Sequence, residues 1–167
     1  MVLFAMVLAA VVITPAPSAA QVRLSVGVNI GSQPVWGPVG YDNVNYYYFP
    51  DIDAYYYVPR HQFIYLDGRR WVFAASLPAR YHDFDLYHSY KVVVNDRRPY
   101  MRAAFYRDRY RTYRGRHDQV VIRDSHEPRY FEVKDHPEHQ KWVEQHKHDR
   151  HDDRHGDRSE ERHKDRD

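Results

Sequence analysis

Short apolar runs separated by turn residues dominate the middle of the chain. Residues 46–50 (YYYFP) are nearly repeated nine positions later as residues 55–59 (YYYVP), and Asp51 and Asp53 lie between the two runs. Aromatic residues favour strands and aspartate favours turns, so the pattern predicts two antiparallel strands. Residues 62–74 contain two more apolar runs on either side of an Asp-Gly pair, which is a strong hairpin signal. We therefore predict a four-stranded antiparallel meander from about residue 45 to residue 75.

Four further segments carry weaker signals. Residues 22–30 alternate apolar and polar positions, which predicts a first strand with one buried face. Residues 35–40 are rich in glycine and proline, and we interpret them as an irregular connection that packs Trp36 against the sheet. Residues 91–95 predict another short strand, and residues 120–122 predict an edge strand.

One amphipathic helix is predicted over about residues 100–114. Its apolar positions recur at spacings of three and four, arginines occupy an adjacent stripe, and Gly115 follows. The positions expected to dock on the sheet are Ala103, Tyr106, Tyr110 and Tyr113. We expect the arginines to be solvated or paired with Asp108. The predicted fold class is α+β, mostly β: an antiparallel meander with one packed helix and a charged C-terminal tail that is partly helical or disordered.

The first 20 residues have the pattern of an export signal. They contain no charged side chain, run apolar from residue 2 to residue 13, and end in small residues before Gln21. We expect cleavage after Ala20 and a mature protein in the periplasm or cell envelope. An uncleaved membrane anchor is the alternative. The chain has no cysteine, so neither a disulfide nor a lipid anchor on cysteine is available.

The mature chain divides into a tyrosine-rich domain, residues 21–133, and a tail, residues 134–167. The tail is dominated by charged side chains of both signs and holds seven of the chain's 12 histidines. Opposite charges favour a helix around residues 138–148. Ordering the rest would cost conformational entropy without burying apolar surface.

The histidines of the tail lead to a metal-binding hypothesis. Neutral imidazole binds nickel, copper and zinc, and on a helix neighbouring histidines of this tail would share a face. The candidate ligands are His146, His148, His151, Asp152 and His155. They form no zinc signature of fixed spacing, so such a site would be labile and broadly selective. One alternative is a solvated tail that extends or tethers the domain. Another is a charge switch, in which the histidines make the tail cationic below their usual pKa of about 6.5.

The tyrosine strands lead to a different hypothesis. Side chains alternate between the two faces of a strand, so Tyr46, Tyr48, Tyr55 and Tyr57 share one face. If that face is open, its rings and hydroxyls suit a glycan or another envelope protein. If the domain covers both faces, the same rings belong to the core.

Other chemistries have less support. Arginines interleaved with tyrosines over residues 102–116 resemble a nucleic-acid footprint, but the expected export argues against nucleic acid as a partner. A polyanionic surface such as lipopolysaccharide phosphate is the functional variant for these arginines. Contact with a membrane is expected only at its periphery or through an uncleaved signal. The sequence lacks a Gly-x-Ser-x-Gly elbow, a phosphate loop and a cysteine nucleophile, so we expect no enzyme activity. The polar loop with His82, Asp83, Asp85 and His88 does not change this expectation, because polar loops without chemistry are common.

Several segments together resemble a family of small exported bacterial envelope proteins that has no established activity. They are residues 26–30, 34–42 (PVWGPVGYD), the paired YYYxP runs, 62–65 and 85–93. The likeness covers roughly residues 22–113 and implies an exported domain followed by a variable charged tail. It implies no cofactor, ligand or site residue. We therefore expect a non-enzymatic envelope protein that binds a partner, or has a structural role, through its tyrosine sheet. The alternative is a periplasmic buffer for labile transition metals.

Overall fold

The computed structural model describes residues 28–147, which form an α+β fold on a five-stranded antiparallel sheet. The strands are β1 (Tyr46–Phe49), β2 (Ala54–Tyr57), β3 (Gln62–Asp67), β4 (Arg70–Ala74) and β5 (Val92–Val94), in the spatial order β4-β3-β2-β1-β5. The α-helices of this range are α1 (Ala103–Arg109) and α2 (His139–Gln145), and short 3-10 turns connect many of the elements. The predicted meander is confirmed, and the strand expected at residues 91–95 joins it beside β1.

Two tight turns set the register of the meander. The β1–β2 turn pairs Tyr48 with Tyr55 and holds Asp53 in the left-handed region, with a φ of 51°. Gly68 takes the first of the two turn positions between β3 and β4 with a φ of 58°, a conformation that costs glycine little. Because side chains alternate along strands, this register places Tyr46 and Tyr48 of β1 on the same face as Tyr55 and Tyr57 of β2.

One face of the sheet packs around Trp36. Its ring lies 5.5 Å from that of Tyr47 and 4.9 Å from that of Tyr56, centroid to centroid, and both phenols are buried. The connection that carries Trp36 approaches so closely that a Cβ on Gly37 would lie 2.5 Å from the Tyr47 hydroxyl. That hydroxyl donates to the amide oxygen of buried Gln33 at 2.7 Å. The packing predicted for Trp36 is confirmed.

The opposite face is covered by residues 99–113. The segment consists of a 3-10 turn (Pro99–Arg102), then α1, then a second 3-10 turn (Arg111–Tyr113). Tyr106 of α1 is buried against the sheet, as predicted.

The helix is shorter than predicted at both ends, because residues 100–102 belong to the preceding 3-10 turn and α1 ends at Arg109. Tyr110 leaves helical geometry with a φ of −110° and a ψ of 15°. The Tyr113 ring, expected to dock on the sheet, stacks instead on Tyr90, with ring centroids 4.7 Å apart. A continuous helix would have carried Tyr113 on the same stripe as Tyr106.

Arginines of the covering segment pair with carboxylates other than Asp108. Asp53 accepts hydrogen bonds from the Arg107 Nε at 3.0 Å and from an Arg114 guanidinium nitrogen at 2.9 Å. Asp108 takes no part in an ion pair among residues 28–147. The physical reason is that Arg107 and Arg109 are sequence neighbours of Asp108, and successive side chains on a helix do not face each other. Arg111, three positions on, lies beyond the end of α1 at Arg109.

The first predicted strand is absent from its described part. Ile30 begins a 3-10 turn (Ile30–Ser32), and residues 22–27 lie outside the described range. The side chain of Asn29 accepts from the Val44 N–H at 2.9 Å and donates to the Val44 carbonyl at 2.7 Å. It therefore takes up backbone groups that a neighbouring strand would otherwise bond.

The predicted edge strand at residues 120–122 is also wrong. A single bridge pairs Pro38 with Val121, and Ile122 begins a 3-10 turn. The bridge is flanked by two backbone hydrogen bonds, from the Val39 N–H to the Val120 carbonyl at 3.1 Å and from the Ile122 N–H to the Gly37 carbonyl at 2.8 Å. The 3-10 turn that begins at Ile122 then bends the chain out of strand geometry and ends the pairing.

The folded part continues past residue 133, into the segment that the sequence assigns to the tail. His136 is 5% exposed. Its Nε2 lies 3.1 Å from the Ser125 carbonyl and its Nδ1 accepts from the Glu138 N–H at 3.1 Å, which assigns the proton to Nε2. Helix α2 follows, within the segment predicted to be helical. The expected signal, residues 1–20, lies outside the described residues. Among residues 28–147, no helix has both the length and the apolar character needed to span a bilayer.

Candidate functional site

The four tyrosines of the predicted binding face lie together on β1 and β2. Tyr46 stacks on Tyr57 with ring centroids 4.7 Å apart, and the centroids of Tyr48 and Tyr55 are 5.0 Å apart. The face is not open along its length, because Tyr48 is 1% exposed and Tyr55 is fully buried. The expectation of an accessible ring is therefore wrong for Tyr48 and Tyr55. Tyr46 is also buried, at 8% exposed, whereas Tyr57 is half-buried.

The two inner rings are enclosed by aromatic side chains of the covering segment and of β4. The Tyr106 ring lies 6.2 Å from both Tyr48 and Tyr55, and Trp71 lies 6.0 Å from Tyr55. Burial raises the pKa of both phenols, and the neighbouring Asp53 raises that of Tyr48 further. The Tyr48 hydroxyl donates to Asp53 at 2.7 Å, whereas the buried Tyr55 hydroxyl has no hydrogen-bond partner within the described part of the chain.

A cleft of about 510 Å³ opens at the Tyr46–Tyr57 end of this face. Besides the stacked tyrosines, its lining includes Phe73 and Tyr100, whose rings meet edge to face with centroids 5.4 Å apart. The lining residues are Tyr46, Tyr57, Arg60, Gln62, Ile64, Phe73, Arg98 and Tyr100. The charged side chains of this set are both arginines, so the cleft is electropositive.

Both arginines come from turns with left-handed backbone. Arg60 ends a 3-10 turn (Val58–Arg60) and is followed by His61 with a φ of 50°. Arg98 itself has a φ of 52° and precedes the next 3-10 turn. Non-glycine residues rarely adopt this conformation, and such strain clusters at binding sites. Neither guanidinium forms an ion pair with a carboxylate of residues 28–147.

The electrostatics of the cleft can be followed at Tyr46. Burial raises the pKa of the Tyr46 phenol, and the neighbouring Tyr57 and Tyr100 add to the effect. The Arg98 backbone N–H and guanidinium act in the opposite direction, because both stabilise the phenolate. The net pKa shift is upward, so at the Tyr46 oxygen the cost of burial outweighs the attraction of Arg98.

Six lining residues were not among the predicted site residues: Arg60, Gln62, Ile64, Phe73, Arg98 and Tyr100. Arg60 carried a signal, since it directly follows the second YYYxP run. Arg98 and Tyr100 did not, because they reach the tyrosine face only when β5 pairs with β1. The local pattern of apolar and polar residues does not indicate which distant strands pair.

Of the predicted metal ligands, the structure describes His146. Its ring stacks on Trp142 with centroids 4.5 Å apart, and its Nδ1 lies 2.8 Å from the Trp142 carbonyl. Nδ1 therefore donates, which leaves Nε2 with its lone pair. The other candidates, His148, His151, Asp152 and His155, lie outside the described residues. Between residues 28 and 147, no group of three or more histidine, aspartate or glutamate side chains is arranged to hold a metal ion.

The polar loop before β5 forms local contacts. His88 bonds to the Asp85 carboxylate, which also accepts from the Tyr87 N–H, and these bonds lower the pKa of Asp85 to about 2. The ammonium of buried Lys91 donates to the carbonyls of Leu86 and Tyr87. Burial lowers the pKa of Lys91 to about 8, against the attraction of Asp85. These bonds account for the conformation of the loop.

The described residues thus define an α+β domain with an electropositive aromatic cleft at one end of its sheet. No family model matches the chain, and neither a curated protein nor a solved structure matches it. Function has to be argued from the geometry and chemistry of the site.

Proposed function

We propose that this protein is a non-enzymatic exported envelope protein that binds an acidic glycan in the cleft beside Tyr46 and Tyr57. The observation that carries the proposal is the pairing of stacked phenol rings with two guanidinium groups that have no carboxylate partner in the described residues. The export pattern of residues 1–20 and the resemblance to envelope proteins support the location.

The aromatic side chains supply the part of the site that would hold a sugar ring. Tyrosine combines a large apolar face with a polar hydroxyl, which matches the apolar face and rim hydroxyls of a pyranose. Tyr57 and Tyr100 are half-buried and Phe73 is exposed, so each keeps ring surface for a ligand. The amide of Gln62 adds a group that can both donate and accept.

The arginines supply the preference for an acidic ligand. A guanidinium forms paired hydrogen bonds with a carboxylate or a phosphate, and its planar fork fixes the orientation of the acid. Arg60 and Arg98 are exposed, so they lose little hydration until a ligand arrives. A uronic acid or a sugar phosphate presents both features that the cleft matches.

Calorimetric titration with oligogalacturonate, beside a neutral galactose oligomer of equal length, tests this proposal. We expect the acidic oligomer to bind and the Arg60→Gln/Arg98→Asn double variant to bind about tenfold or more weakly. Asparagine is chosen at residue 98 because it tolerates left-handed backbone. The matched control is Arg69→Gln/Arg70→Asn, which removes two exposed arginines from the β3–β4 hairpin.

Two results would count against the cleft. Equal weakening by both double variants would mean that the glycan responds to net charge alone. Equal affinity for the acidic and neutral oligomers would remove the role of the arginines. A Tyr57→Ala variant adds a separate readout, since it should weaken both oligomers if the ring faces carry the sugar.

The alternative function, periplasmic binding of nickel, copper or zinc by the tail, is favoured by one observation. Bound histidines commonly donate their second ring nitrogen to a carbonyl, as the His146 Nδ1 does toward Trp142. The test is titration of the full chain with each metal, beside a His148→Asn/His151→Asn/His155→Asn variant. Micromolar affinity corresponds to a binding free energy of about −8 kcal/mol. Binding of this strength by the full chain that is lost in the variant would support a metal buffer. Unchanged heats would exclude these ligands.

A further inference from the structure

The outward face of α1 and of the turn before it exposes apolar side chains. Met101 is 67% exposed and Phe105 is 48% exposed. They lie four residues apart on consecutive turns, while Tyr106 on the inner side is buried in the core. The apolar pair is therefore not needed to hold the segment on the sheet.

Arginines surround this apolar pair. The guanidinium carbon of Arg102 lies 5.3 Å from the centroid of the Phe105 ring, and that of Arg109 lies 5.7 Å from it. Arg102 is partly neutralised by Asp96, whereas Arg109 forms no ion pair within the described range. The alkyl stems of these arginines extend the apolar area and their charged heads form its rim.

We infer that this surface, formed by Met101, Arg102, Phe105 and Arg109, docks the protein on an anionic phospholipid bilayer. An anionic bilayer matches this surface, because its headgroups carry negative charge and the acyl chains beneath them are apolar. Phe105 and Met101 would enter the level of the first acyl carbons, and the arginines would meet lipid phosphates. This inference does not depend on what the cleft binds.

The geometry favours a lipid surface over a nucleic acid. Single-stranded nucleic acids need an aromatic ring with a free face on which a base can stack. The Phe105 ring already carries guanidinium groups from the preceding and following turns, and its edge meets Tyr106 at a centroid distance of 5.2 Å. An exposed thioether such as that of Met101 adds apolar reach and no base readout.

Co-sedimentation with vesicles tests the inference on the full mature chain. We expect binding to vesicles of equal parts phosphatidylglycerol and phosphatidylcholine, weakening as salt screens the arginines, and little binding to phosphatidylcholine alone. The Phe105→Ala/Arg109→Gln variant should bind the anionic vesicles about tenfold more weakly. The matched control, Leu66→Ala/Arg69→Gln, removes one exposed apolar side chain and one arginine from the β3–β4 hairpin and should stay within about twofold of wild type.

Three outcomes would overturn the inference. The first is an equal loss of vesicle binding in both double variants, and the second is equal binding of the wild type to neutral and anionic vesicles. The third is binding to an oligonucleotide that weakens as much as vesicle binding does when Phe105 is replaced. Thermal unfolding of each variant separates lost binding from lost structure. Phe105→Leu is a second check on folding and mechanism, because leucine keeps the apolar side chain and should retain most of the vesicle binding.

Discussion

Replacing Tyr55 by phenylalanine should make the protein more stable. The Tyr55 hydroxyl is buried and has no hydrogen-bond partner within residues 28–147, so folding removes its bonds to water without replacing them. A buried polar group left in this state costs about 1 to 3 kcal/mol. Phenylalanine keeps the ring and its edge-to-face contact with Tyr106. We expect Tyr55→Phe to raise the free energy of unfolding by about 1 kcal/mol.

The cross-strand neighbour Tyr48 provides the matched control. The same loss of one hydroxyl at Tyr48 removes a 2.7 Å hydrogen bond to the Asp53 carboxylate. Hydrogen bonds to charged groups contribute about 1.5 to 3 kcal/mol. Asp53 keeps its two arginine partners, so we expect a loss of about 1.5 kcal/mol, near the low end of that range. The two variants should therefore change stability in opposite directions.

Urea unfolding followed by circular dichroism measures both effects. The dependence of the unfolding free energy on urea concentration should stay unchanged in both variants. In a thermal scan of a domain of this size, a change of about 1 kcal/mol in the free energy of unfolding corresponds to a shift of roughly 4 °C in Tm. If Tyr55→Phe is as destabilising as Tyr48→Phe, the Tyr55 hydroxyl is bonded in solution and the reasoning fails. A neutral result would show that its burial is incomplete.

Four further predictions concern buried groups. Gly37→Ala should cost about 1 to 3 kcal/mol in urea unfolding, because the new Cβ would lie 2.5 Å from the Tyr47 hydroxyl; a neutral variant would mean that the phenol moves freely. His136→Ala should cost about 2 to 3 kcal/mol in the same assay, since it removes two hydrogen bonds and a buried ring, and a negligible cost would return this residue to the tail. Burial lowers the pKa of Lys91 to about 8, so the folded state binds fewer protons than the unfolded state above that pH and stability should rise toward pH 10. Burial also raises the pKa of Tyr56 to about 12, so the folded state keeps a proton that the unfolded state loses and stability should fall above about pH 10. The midpoints of urea unfolding, measured across this pH range, check both the rise and the fall in stability. If a Lys91→Met variant still gains stability toward pH 10, the gain does not come from Lys91.

Local patterns predicted those parts of the fold whose partners are near in sequence. The tyrosine runs, the turn aspartates and the Asp-Gly pair act within a few residues of one another, so the meander could be predicted from sequence. The apolar spacing around Tyr106 likewise located the helix that covers the sheet. The described end of the predicted first strand, residues 28–30, is not extended as expected, because the Asn29 side chain bonds the backbone groups of Val44. Hydrophobic periodicity carries no information about such a contact.

The candidate site was only half predictable for the same reason. Alternation along β1 and β2 placed the four tyrosines on one face, but it could not say that Tyr106 would cover Tyr48 and Tyr55. The charge of the cleft depends on Arg98, which arrives with the segment after β5. Tertiary contacts between distant segments, more than intrinsic propensities, decide which aromatic face stays accessible.

The bonds from Asp53 to Arg107 and Arg114 span 54 and 61 positions of sequence. A chain is synthesised from its N-terminus, so strands β1 to β4 emerge well before the residues that cover them. Until the arginines arrive, the hairpin carries an unpaired carboxylate and a bare row of phenol rings. A chain that stops before Arg107 therefore leaves this row of phenol rings exposed, and exposed apolar surface of this kind promotes aggregation.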